Sequence, residues 1–488
     1  MSTPRVRIAP SPTGYLHIGT ARAALFNYLF AHHHRGTFVL RIEDTDLERS
    51  EKKYEESIFE DLRWLGIDPD EGLEQGGSYA PYRQTERTET YIKYIDDLFK
   101  NGFAFYCFHT EEELENERKE LARAKHPQLH LCEYRTMELS QAEELAAINK
   151  NHVIRFKTPV GKKITFHDMI RGEISFESDL LGDFSIARRR DTPLYHFAVV
   201  VDDITMEISH VIRGEDHIPN TPKHILLFKA LGASVPQFAH LPLILGQDRS
   251  KLSKRHGATS IAESERLGYL PDALFNFIAL LGWNPGTDQE IFTKEELIQL
   301  FDIEKVQKSG AIFDFQKLDW MNGEYIRKKS IAELTELCIP FLHEKTGIKL
   351  PSRKFPRTYL EQIVALEQPR LKRLSEIGEK TVYFFQKPEY PPSLLAWKKM
   401  SATELYVSLA DADRLLAQLP EKPNISESER IFFDAIGAGD KGSMLWPLRI
   451  ALTGMKASPG PFEIISVLGA KEARARIHYA QKLLKNVV

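Results

Sequence analysis

The chain has 488 residues, of which 42% are hydrophobic and 27% are charged, a composition typical of a globular protein with room for about three domains of ~100–200 residues. Its formal net charge of −4 argues against nucleic-acid binding through bulk charge, but leaves room for local basic surfaces. No apolar run approaches the ~18 residues that span a membrane, and three cysteines are too few for a disulfide framework.

The first twenty residues predict a strand, a tight turn and a helix. Residues 5–9 suit a short buried strand that leaves no room for a leader peptide, so we expect a cytoplasmic protein. The prolines and glycine of residues 10–14 enforce a turn, and apolar residues then recur at helical spacing from Ala21 to Gly36. His-Ile-Gly-Thr at 17–20 therefore lies at a helix start, where backbone N–H groups and the helix dipole favour phosphate.

Acidic residues follow the second predicted strand, at 37–42, which is parallel to the first because a helix connects the two. Glu43 comes directly after it, at the edge of the sheet where ligands bind in open parallel sheets. Asp44 and Asp46 are explained more simply as N-caps of the charged helix at 51–65.

The composition changes at about residue 79, where long charged helices precede short strands, which predicts an α+β insertion. The helices are expected at 111–124 and 140–151, and the strands at 153–157, 164–167 and 173–176.

Buried-strand composition returns at 195–203, and a further strand at 208–212 ends in Arg213. A helix at 221–231 follows, and no strand alternation occurs after about residue 330. The pattern predicts an α/β fold with a Rossmann-like parallel sheet, split by the insertion and followed by an all-α region.

Two motifs resemble those of one enzyme family. Ala-Pro-Ser-Pro-Thr-Gly at 9–14 with His-Ile-Gly-Thr at 17–20 resembles the opening of class I aminoacyl-tRNA synthetases of the glutamyl/glutaminyl group. Lys-Leu-Ser-Lys-Arg at 251–255 resembles their mobile Lys-Met-Ser-Lys-Ser loop. Alone, the first is explained by an ordinary strand–helix unit and the second by a solvated basic turn; together they are specific. The tail at 446–454 also resembles bacterial-type glutamyl-tRNA synthetases.

The resemblance implies a division of the chain into regions with separate tasks. They are a catalytic domain at 1–86 and 193–250, an inserted domain at 87–192 that holds the tRNA acceptor end, a stem-contact region at 251–329, and an anticodon-binding region at 330–488 with subdomains at about 330–384 and 385–488.

The resemblance also implies the reaction of a glutamate–tRNA ligase. A carboxylate of L-glutamate attacks the α-phosphorus of ATP, and the terminal ribose hydroxyl of tRNA(Glu) then takes the aminoacyl group. Magnesium should accompany ATP through phosphates and waters. Family resemblance further suggests that activation waits for bound tRNA, and we expect a monomer.

Residue roles are carried over by position. The implied catalytic residues are His17, Thr20, Lys251 and Lys254. The implied glutamate contacts are Arg7, Ala9, Ser11, Glu43, Tyr195 and Arg213, with the planar guanidinium groups suited to carboxylates. The implied ATP contacts are His17, Gly19, Thr20, Asp216, Ile244, Lys251, Ser253 and Lys254. Arg370 lies near the position of an anticodon-reading arginine, with an ordinary surface residue as the equal alternative.

The chain departs from the family pattern in three places. Val199 replaces an asparagine that some members have, which removes one polar substrate contact, and Arg190-Asp191 replaces an Asp-Gly turn. Some relatives carry zinc in the insertion. The counterparts here are Cys107, His109, Cys132 and Tyr134, and because tyrosine is rarely a zinc ligand we do not favour a zinc site.

The sequence also bears on other functions. A non-discriminating enzyme would also charge tRNA(Gln), and a catalytically inactive tRNA-binding protein would not need the intact lysines and histidine. A glutaminyl enzyme is expected to have a β-barrel anticodon domain rather than a helical one. A tRNA-modifying relative or a small-molecule nucleotidylyltransferase would not need the long helical C-terminal region.

Overall fold

The structure, a computed structural model, describes residues 3–46, 48–124, 129–130 and 132–485, apart from the side chain of Lys254. The chain forms two compact units, one of residues 1–265 with 271–318 and one of residues 266–270 with 319–488. Within the described ranges, none of the helices combines the length and the apolar character that crossing a bilayer requires.

The strands and helices are numbered in chain order. The strands are β1 (Arg5–Ile8), β2 (Thr37–Leu40), β3 (Ala104–Cys107), β4 (Val153–Phe156), β5 (Lys163–Asp168), β6 (Gly172–Glu177), β7 (Ser185–Arg189), β8 (Thr192–Pro193), β9 (His210–Gly214), β10 (Gln237–Leu241), β11 (Ile244–Leu245) and β12 (Ala311–Ile312). The helices up to residue 300 are α1 (Ile18–His33), α2 (Lys52–Trp64), α3 (Thr88–Lys100), α4 (Glu111–Arg123), α5 (Leu139–Ile148), α6 (Tyr195–Thr205), α7 (Thr221–Ala230), α8 (Ile261–Arg266), α9 (Pro271–Ala279) and α10 (Lys294–Leu300). The later helices are α11 (Phe315–Lys328), α12 (Ile331–Thr346), α13 (Arg357–Glu367), α14 (Glu376–Thr381), α15 (Ala402–Leu416), α16 (Ile425–Ile436), α17 (Lys441–Thr453), α18 (Pro461–Leu468) and α19 (Ala470–Lys485).

A parallel sheet forms the centre of the first unit. β1 and β2 pair in parallel from Arg5 with Thr37 to Ile8 with Leu40. The backbone N–H of Ser209, next to β9, donates to the carbonyl of Arg5 at 3.0 Å, which brings β9 beside β1. β9 pairs in parallel with β10, β10 with β5, and β6 lies antiparallel at the edge. The predicted α/β class with a parallel sheet is confirmed.

Helix α1 packs in the interior, and its sequence explains why. Apolar residues occupy nearly every face, from Ala21 through Leu25 and Phe26 to Leu29, which are all fully buried. A helix that is apolar all round is stable only when it is covered on all sides. This burial holds the start of α1 rigidly beside the sheet.

The prediction of a buried strand at 195–203 is wrong, because this segment is helix α6. Residues 197–203 are all buried, so the helix has no polar face that would reveal a 3.6-residue period. A short run that is apolar throughout fits a buried strand or a buried helix equally well. Asp202 and Asp203 therefore lie in the last turn of helix α6 rather than at the end of a strand.

The predicted cap roles also differ. Helix α2 begins after Glu51, without a side-chain cap. Asp44 instead accepts hydrogen bonds from the backbone N–H of Thr85 at 2.9 Å and from its hydroxyl at 2.6 Å. Asp44 therefore fastens the turn before α3 to the end of β2.

The predicted insertion contains two structures. β3, β4, β7 and β8 form an antiparallel sheet accompanied by α4 and α5. The β5–β6 hairpin, in contrast, joins the central sheet where Asp168 pairs with Phe238 of β10. Part of this segment thus contributes directly to the sheet that carries the site.

The second unit is helical. Beyond residue 330, the described part of the chain contains helices and turns and no strand, as the spacing predicts. Capping boxes at Ser330 and Ser401 begin α12 and α15, and glycines with positive φ end α12 and α17.

Candidate active site

A cleft of about 510 Å³ opens at the edge of the sheet where β1, β2, β9 and β10 end. The carboxyl ends of parallel strands share this edge, which is where open α/β sheets bind ligands. The predicted site residues that line it are Arg7, Ala9, Ser11, His17, Gly19, Thr20, Glu43, Tyr195, Arg213, Asp216, Ile244 and Lys251.

Two predicted residues are not among those that line the cleft. The backbone N–H of Ser253 donates to Nδ1 of His256 at 3.0 Å, and the Ser253 hydroxyl lies 3.1 Å from the same nitrogen. The side chain of Lys254 lies outside the described part of the structure, and the backbone of Lys254 begins a short 3₁₀ helix. The contacts predicted for these two residues with ATP stay predictions.

His17 is the N-cap of α1. Its Nδ1 accepts a hydrogen bond from the backbone N–H of Gly19 at 3.1 Å. A ring nitrogen that accepts an N–H carries no proton, so the neutral imidazole has its hydrogen on Nε2. His17 thus brings an N–H donor to a cleft wall that also carries the positive end of the α1 dipole.

Backbone hydrogen bonds join the start of α1 to residues 259–261, which follow the basic motif. The N–H of Ile18 donates to the carbonyl of Thr259 at 2.9 Å, and the N–H of Ile261 donates to the carbonyl of Leu16 at 3.1 Å. On the other side of the basic loop, the N–H of Leu252 donates to the carbonyl of Ile244 at 2.9 Å. The loop that carries exposed Lys251 is therefore anchored at both ends beside the cleft.

A buried network of three arginines and three carboxylates underlies one wall. Asp203 accepts from Arg7 Nε at 3.1 Å and from Arg41 Nη1 at 2.8 Å, and Arg41 also donates to Glu43 at 3.1 Å. Arg87 pairs with the neighbouring Asp202 at 2.7 Å. Because the opposite charges are equal in number, the network places charged groups in the interior without a net buried charge.

The network sets the protonation of its acids. Burial alone would raise the pKa of Asp203, but Arg7 and Arg41 lower it below its ordinary value, so Asp203 is a carboxylate. Burial raises the pKa of Glu43, and Arg41 and Arg7 offset this only in part. Glu43 is therefore the acid in the cleft wall that gains most from an additional cation.

Arg213 is buried and bonded to neutral groups. Its guanidinium donates to Thr221 Oγ1 at 2.9 Å, and lies 3.3 Å from His224 Nδ1 and 3.3 Å from His240 Nε2. Among the described residues, no carboxylate forms an ion pair with it. Burial lowers the pKa of Arg213 to about 10, which leaves it charged at neutral pH. Arg213 is thus a cation that has no direct ion-pair partner in the described part of the chain.

Tyr195 and His217 lie next to Arg213 on the cleft surface. The Tyr195 hydroxyl is 3.2 Å from Nδ1 of His217. Burial raises the pKa of Tyr195 to about 12, so the phenol keeps its proton, and burial together with Arg213 lowers the pKa of His217 to about 4. At neutral pH both groups are therefore uncharged.

Sequence analysis missed several residues of this cleft. Arg22, His217 and Leu243 line it, and Asp203 supports it from behind. Arg22 and His217 were detectable, because each lies within five residues of a recognised motif residue, His17 or Arg213. Asp203 was not, because its role depends on a contact with Arg7 that is distant in sequence.

Two of the three departures from the family pattern, Val199 and Arg190, have clear positions. Val199 is buried on α6 and lines the cleft, so an apolar side chain occupies that part of the wall. Arg190 pairs with Asp96 at 3.0 Å and with Glu143, outside the cleft lining. The charge that this departure adds is therefore offset within the α+β segment.

A second group of functional side chains lies next to β3. The ligand atoms of Cys107, His109, His130 and Cys132 all lie within 4.8 Å of one another. The sulfur of Cys107 is 3.6 Å from His109 Nδ1 and 3.6 Å from His130 Nε2. A tetrahedral zinc site with Zn–S of about 2.3 Å and Zn–N of about 2.0 Å has sulfur–nitrogen edges of about 3.5 Å, so the donor set fits zinc.

His130 was not predicted, and Tyr134 was named instead. The ring of Tyr134 packs edge-on against His109 at 5.3 Å. His130 Nδ1 also contacts the carboxylate of Glu117, the arrangement that orients metal-binding histidines. The family's spacing indicates a ligand two residues after Cys132, whereas His130 lies two residues before it.

Arg370 belongs to the second unit, after α13. Its Nη1 lies 3.2 Å from a carboxylate oxygen of buried Glu367, and the arginine side chain is one-third exposed. The pairing fixes where the guanidinium is held on that surface.

Comparisons with known proteins agree with both units. The family model "tRNA synthetases class I (E and Q), catalytic domain" matches residues 4–320, and the model "Anticodon binding domain" matches residues 333–481. A glutamate–tRNA ligase of Carboxydothermus hydrogenoformans is 46% identical over 97% of this chain and 98% of the relative. One of Caldicellulosiruptor saccharolyticus is 45% identical over 97% and 98%.

The solved structures agree as well. The crystal structure of a glutamate tRNA ligase from Elizabethkingia meningosepticum in complex with its amino acid matches with a TM-score of 0.87 and 34% identity, over 99% of both chains. The fold, the cleft at the strand ends and both domain matches lead to one conclusion. The chain belongs to the class I tRNA synthetases of the glutamate and glutamine (E and Q) group.

Proposed function

We propose that this chain is a glutamate–tRNA ligase, which activates L-glutamate with ATP and transfers it to the 3′ end of tRNA(Glu). The names of its relatives support this proposal. The observation that carries it is Arg213, a buried cation in the cleft whose hydrogen-bond partners among the described residues are neutral. Such a group favours a ligand with a carboxylate.

Arg213 is the group that we expect to select the glutamate side chain. Arg7 already shares its charge with Asp203, whereas Arg213 has no direct carboxylate partner among the described residues. A glutamate carboxylate would supply the missing opposite charge. Glutamine has the same shape but a neutral amide, so it would leave a buried charge uncompensated.

The remaining amino-acid contacts follow from charge and position. Glu43 is the acid that an ammonium group would stabilise, and Tyr195 keeps a hydroxyl proton to donate. Ala9 and Ser11 are small residues in the turn after β1, and they leave space between these groups. Glutamate would thus be held at its ammonium and at its side chain while its α-carboxylate faces ATP.

Activation needs positioning and charge neutralisation more than covalent help. The α-carboxylate of glutamate attacks the α-phosphorus of ATP, the bond to the β-phosphate oxygen breaks, and pyrophosphate leaves. We assign His17, Gly19 and Thr20 to the phosphates and Lys251 to the departing pyrophosphate, where charge develops. Asp216 and Ile244 would contact the ribose and adenine.

Magnesium, when bound with ATP, neutralises phosphate charge through phosphate oxygens and waters. In the second step, the terminal ribose hydroxyl of tRNA attacks the glutamyl carbonyl and AMP leaves. We propose that residues 87–192 hold the acceptor end, residues 251–329 contact the stem, and residues 330–488, with Arg370, read the anticodon.

The proposed function is tested by glutamyl-tRNA formation from glutamate, ATP and tRNA. Charging tRNA(Glu) and tRNA(Gln) side by side separates a discriminating enzyme from a non-discriminating one. ATP–pyrophosphate exchange with and without tRNA shows whether activation waits for tRNA. A protein that binds tRNA but forms no glutamyl-tRNA would contradict the proposal.

The basic loop gives a sharper test. Lys254→Ala is expected to slow glutamate activation about 100-fold, because a cation that stabilises the leaving pyrophosphate is lost. Arg255→Ala is the matched control, since Arg255 is exposed and bonds to Ser250 within the loop at 2.7 Å. Near wild-type activation by Lys254→Ala, measured as single-turnover aminoacylation, would refute the assignment of this loop.

We also propose that Cys107, His109, His130 and Cys132 hold one zinc ion with a structural role. The set is Cys₂His₂, which is usual for closed structural zinc sites. Glu117 would orient His130 from behind. The proposal replaces Tyr134, the ligand suggested by the family's spacing, with His130.

Metal analysis tests the zinc proposal. We expect the purified protein to contain about one zinc per chain, and His130→Ala to lower zinc affinity about tenfold or more, as loss of a ligand should. Tyr134→Phe, the control, should keep wild-type affinity. Cobalt added to metal-free protein should give sulfur-to-metal absorption in wild type and Tyr134→Phe. Loss of binding in Tyr134→Phe alone would reverse the assignment.

A further inference from the structure

The buried guanidinium of Arg213 depends on its neighbours for hydrogen-bond acceptors. A buried guanidinium needs acceptors for its N–H groups, yet a direct carboxylate partner would compete with a substrate carboxylate. In this chain, two of the acceptors next to Arg213 are histidines, which can accept only when a specific ring nitrogen lacks its proton. The groups that determine which ring nitrogen of each histidine carries the hydrogen therefore also determine whether Arg213 has acceptors for its N–H groups.

Asp168 determines which ring nitrogen of His240 carries the hydrogen. Both residues are fully buried, and His240 Nδ1 lies 2.6 Å from Asp168 Oδ2. A carboxylate only accepts hydrogen bonds, so the hydrogen of His240 is on Nδ1, and the lone pair of Nε2 faces both Arg213 Nε at 3.3 Å and the Thr221 hydroxyl at 3.0 Å. The three side chains form a line from carboxylate to imidazole to guanidinium.

Asp168 is itself held firmly. Its Oδ1 accepts from the backbone N–H groups of Ile170 at 3.0 Å and Arg171 at 2.9 Å, and its Oδ2 accepts from that of His240 at 3.1 Å. Burial would raise the pKa of Asp168, but the hydrogen bonds from His240 and from these backbone groups lower it below the ordinary value. Asp168 is therefore a carboxylate at neutral pH.

His240 is neutral under the same conditions, because burial lowers its pKa despite Asp168. The negative charge of Asp168 thus stays one imidazole away from Arg213. It can offset the buried cation in part, but it does not occupy the face that a ligand would use. The Arg7–Asp203 pair in the same cleft shows the other arrangement, with direct contact between the opposite charges.

We propose that Asp168 and His240 are positioning residues for amino-acid selection, which act by holding Arg213 in place and leaving its charge for the substrate's side-chain carboxylate. This inference rests on the proposed function. It assigns a role to the β5–β6 hairpin, because Asp168 ends β5 and begins the turn. The hairpin lies within residues 87–192, the segment assigned to the tRNA acceptor end. This segment therefore also shapes the amino-acid site.

Asp168→Asn tests the proposal with little change in shape. The amide NH₂ would donate to His240 Nδ1, which moves the imidazole hydrogen to Nε2, where it opposes the N–H of Arg213. We expect the KM for glutamate in aminoacylation to rise about 10- to 100-fold, the effect of losing one hydrogen bond to a charged group, while the KM for ATP stays unchanged. The preference for glutamate over glutamine should fall with it.

A double-mutant cycle separates positioning from general damage. In His240→Gln, the amide oxygen can accept from Arg213 without help from Asp168, so adding Asp168→Asn should change the glutamate KM about threefold or less. Glu71→Gln is the control for losing a charge partner in the same sheet, since Glu71 pairs with Arg5 at 2.9 Å. It should leave the glutamate KM unchanged.

The outcomes are distinct. Equal effects of Asp168→Asn in both backgrounds, or equal rises in the KM for glutamate and ATP, would overturn the inference while the proposed function stands. An unchanged glutamate KM in a folded Asp168→Asn protein would do the same. If the wild-type protein forms no glutamyl-tRNA, the proposed function and this inference fail together.

Discussion

Arg213→Gln is expected to lower kcat/KM for glutamate about 1,000-fold or more, the largest effect of any single change in the cleft. The substitution removes the charge that offsets the substrate carboxylate and leaves that carboxylate buried without a charged partner. The loss should lie mainly in the glutamate KM, with the KM for ATP nearly constant. Steady-state aminoacylation at varied glutamate and ATP measures both.

Arg213→Lys is the informative companion variant. Lysine keeps the positive charge but lacks the planar group that donates in two directions. The kcat/KM of this variant for glutamate should therefore lie between those of wild type and Arg213→Gln. Competition between glutamate and glutamine adds a second measurement, because Arg213→Gln should lose most of the discrimination. A variant that binds glutamate as well as wild type would show that another cation recognises the side chain.

His17→Asn should reduce kcat about 100- to 1,000-fold, as expected when one donor to the developing charge of the transition state is removed. Asparagine is a favoured N-cap, so its side-chain oxygen can replace Nδ1 as the acceptor for the N–H of Gly19. The variant thus deletes the Nε2–H donor while the start of α1 stays capped. Rapid-quench measurement of adenylate formation isolates the affected step.

The thermal stability of His17→Asn serves as its internal control. We expect a Tm close to wild type, whereas His17→Ala should lose both the donor and the cap and be less stable. If His17→Asn keeps full kcat, the histidine serves only to cap the helix and the assignment to phosphate is wrong.

Much of the architecture could be predicted from sequence because it depends on local patterns. The turn at 10–14 contains two prolines and a glycine, which allow few backbone paths, and each strand end is followed by a polar motif. Parallel connection by helices then brings those ends to one edge. This is why Glu43 could be placed at the ligand-binding edge from the sequence pattern, whereas the grouping of Arg7 and Arg213 with it is what the family resemblance implies.

The predictions that were wrong or missing concern residues whose roles depend on contacts distant in sequence. Residues 197–201 are apolar throughout and give no 3.6-residue period, so the sequence alone does not show that they belong to helix α6. Asp203 and Asp168 look like ordinary acids until Arg7 and His240 are placed beside them. His130 differs from these, because it lies two residues before Cys132, whereas the family's spacing indicates a ligand two residues after it.

The hydrogen bonds between residues 16–18 and residues 259–261 bear on how the chain is made. The segment that begins α1 gains these bonds only after the ribosome has added about 240 further residues. At about 5–20 residues per second, this takes roughly 12 to 50 s. Throughout that time the apolar surface of α1 must be covered by something else. The first unit therefore cannot complete its folding progressively from the N-terminus. Its nascent N-terminal part is a candidate client for chaperones until the basic loop has emerged.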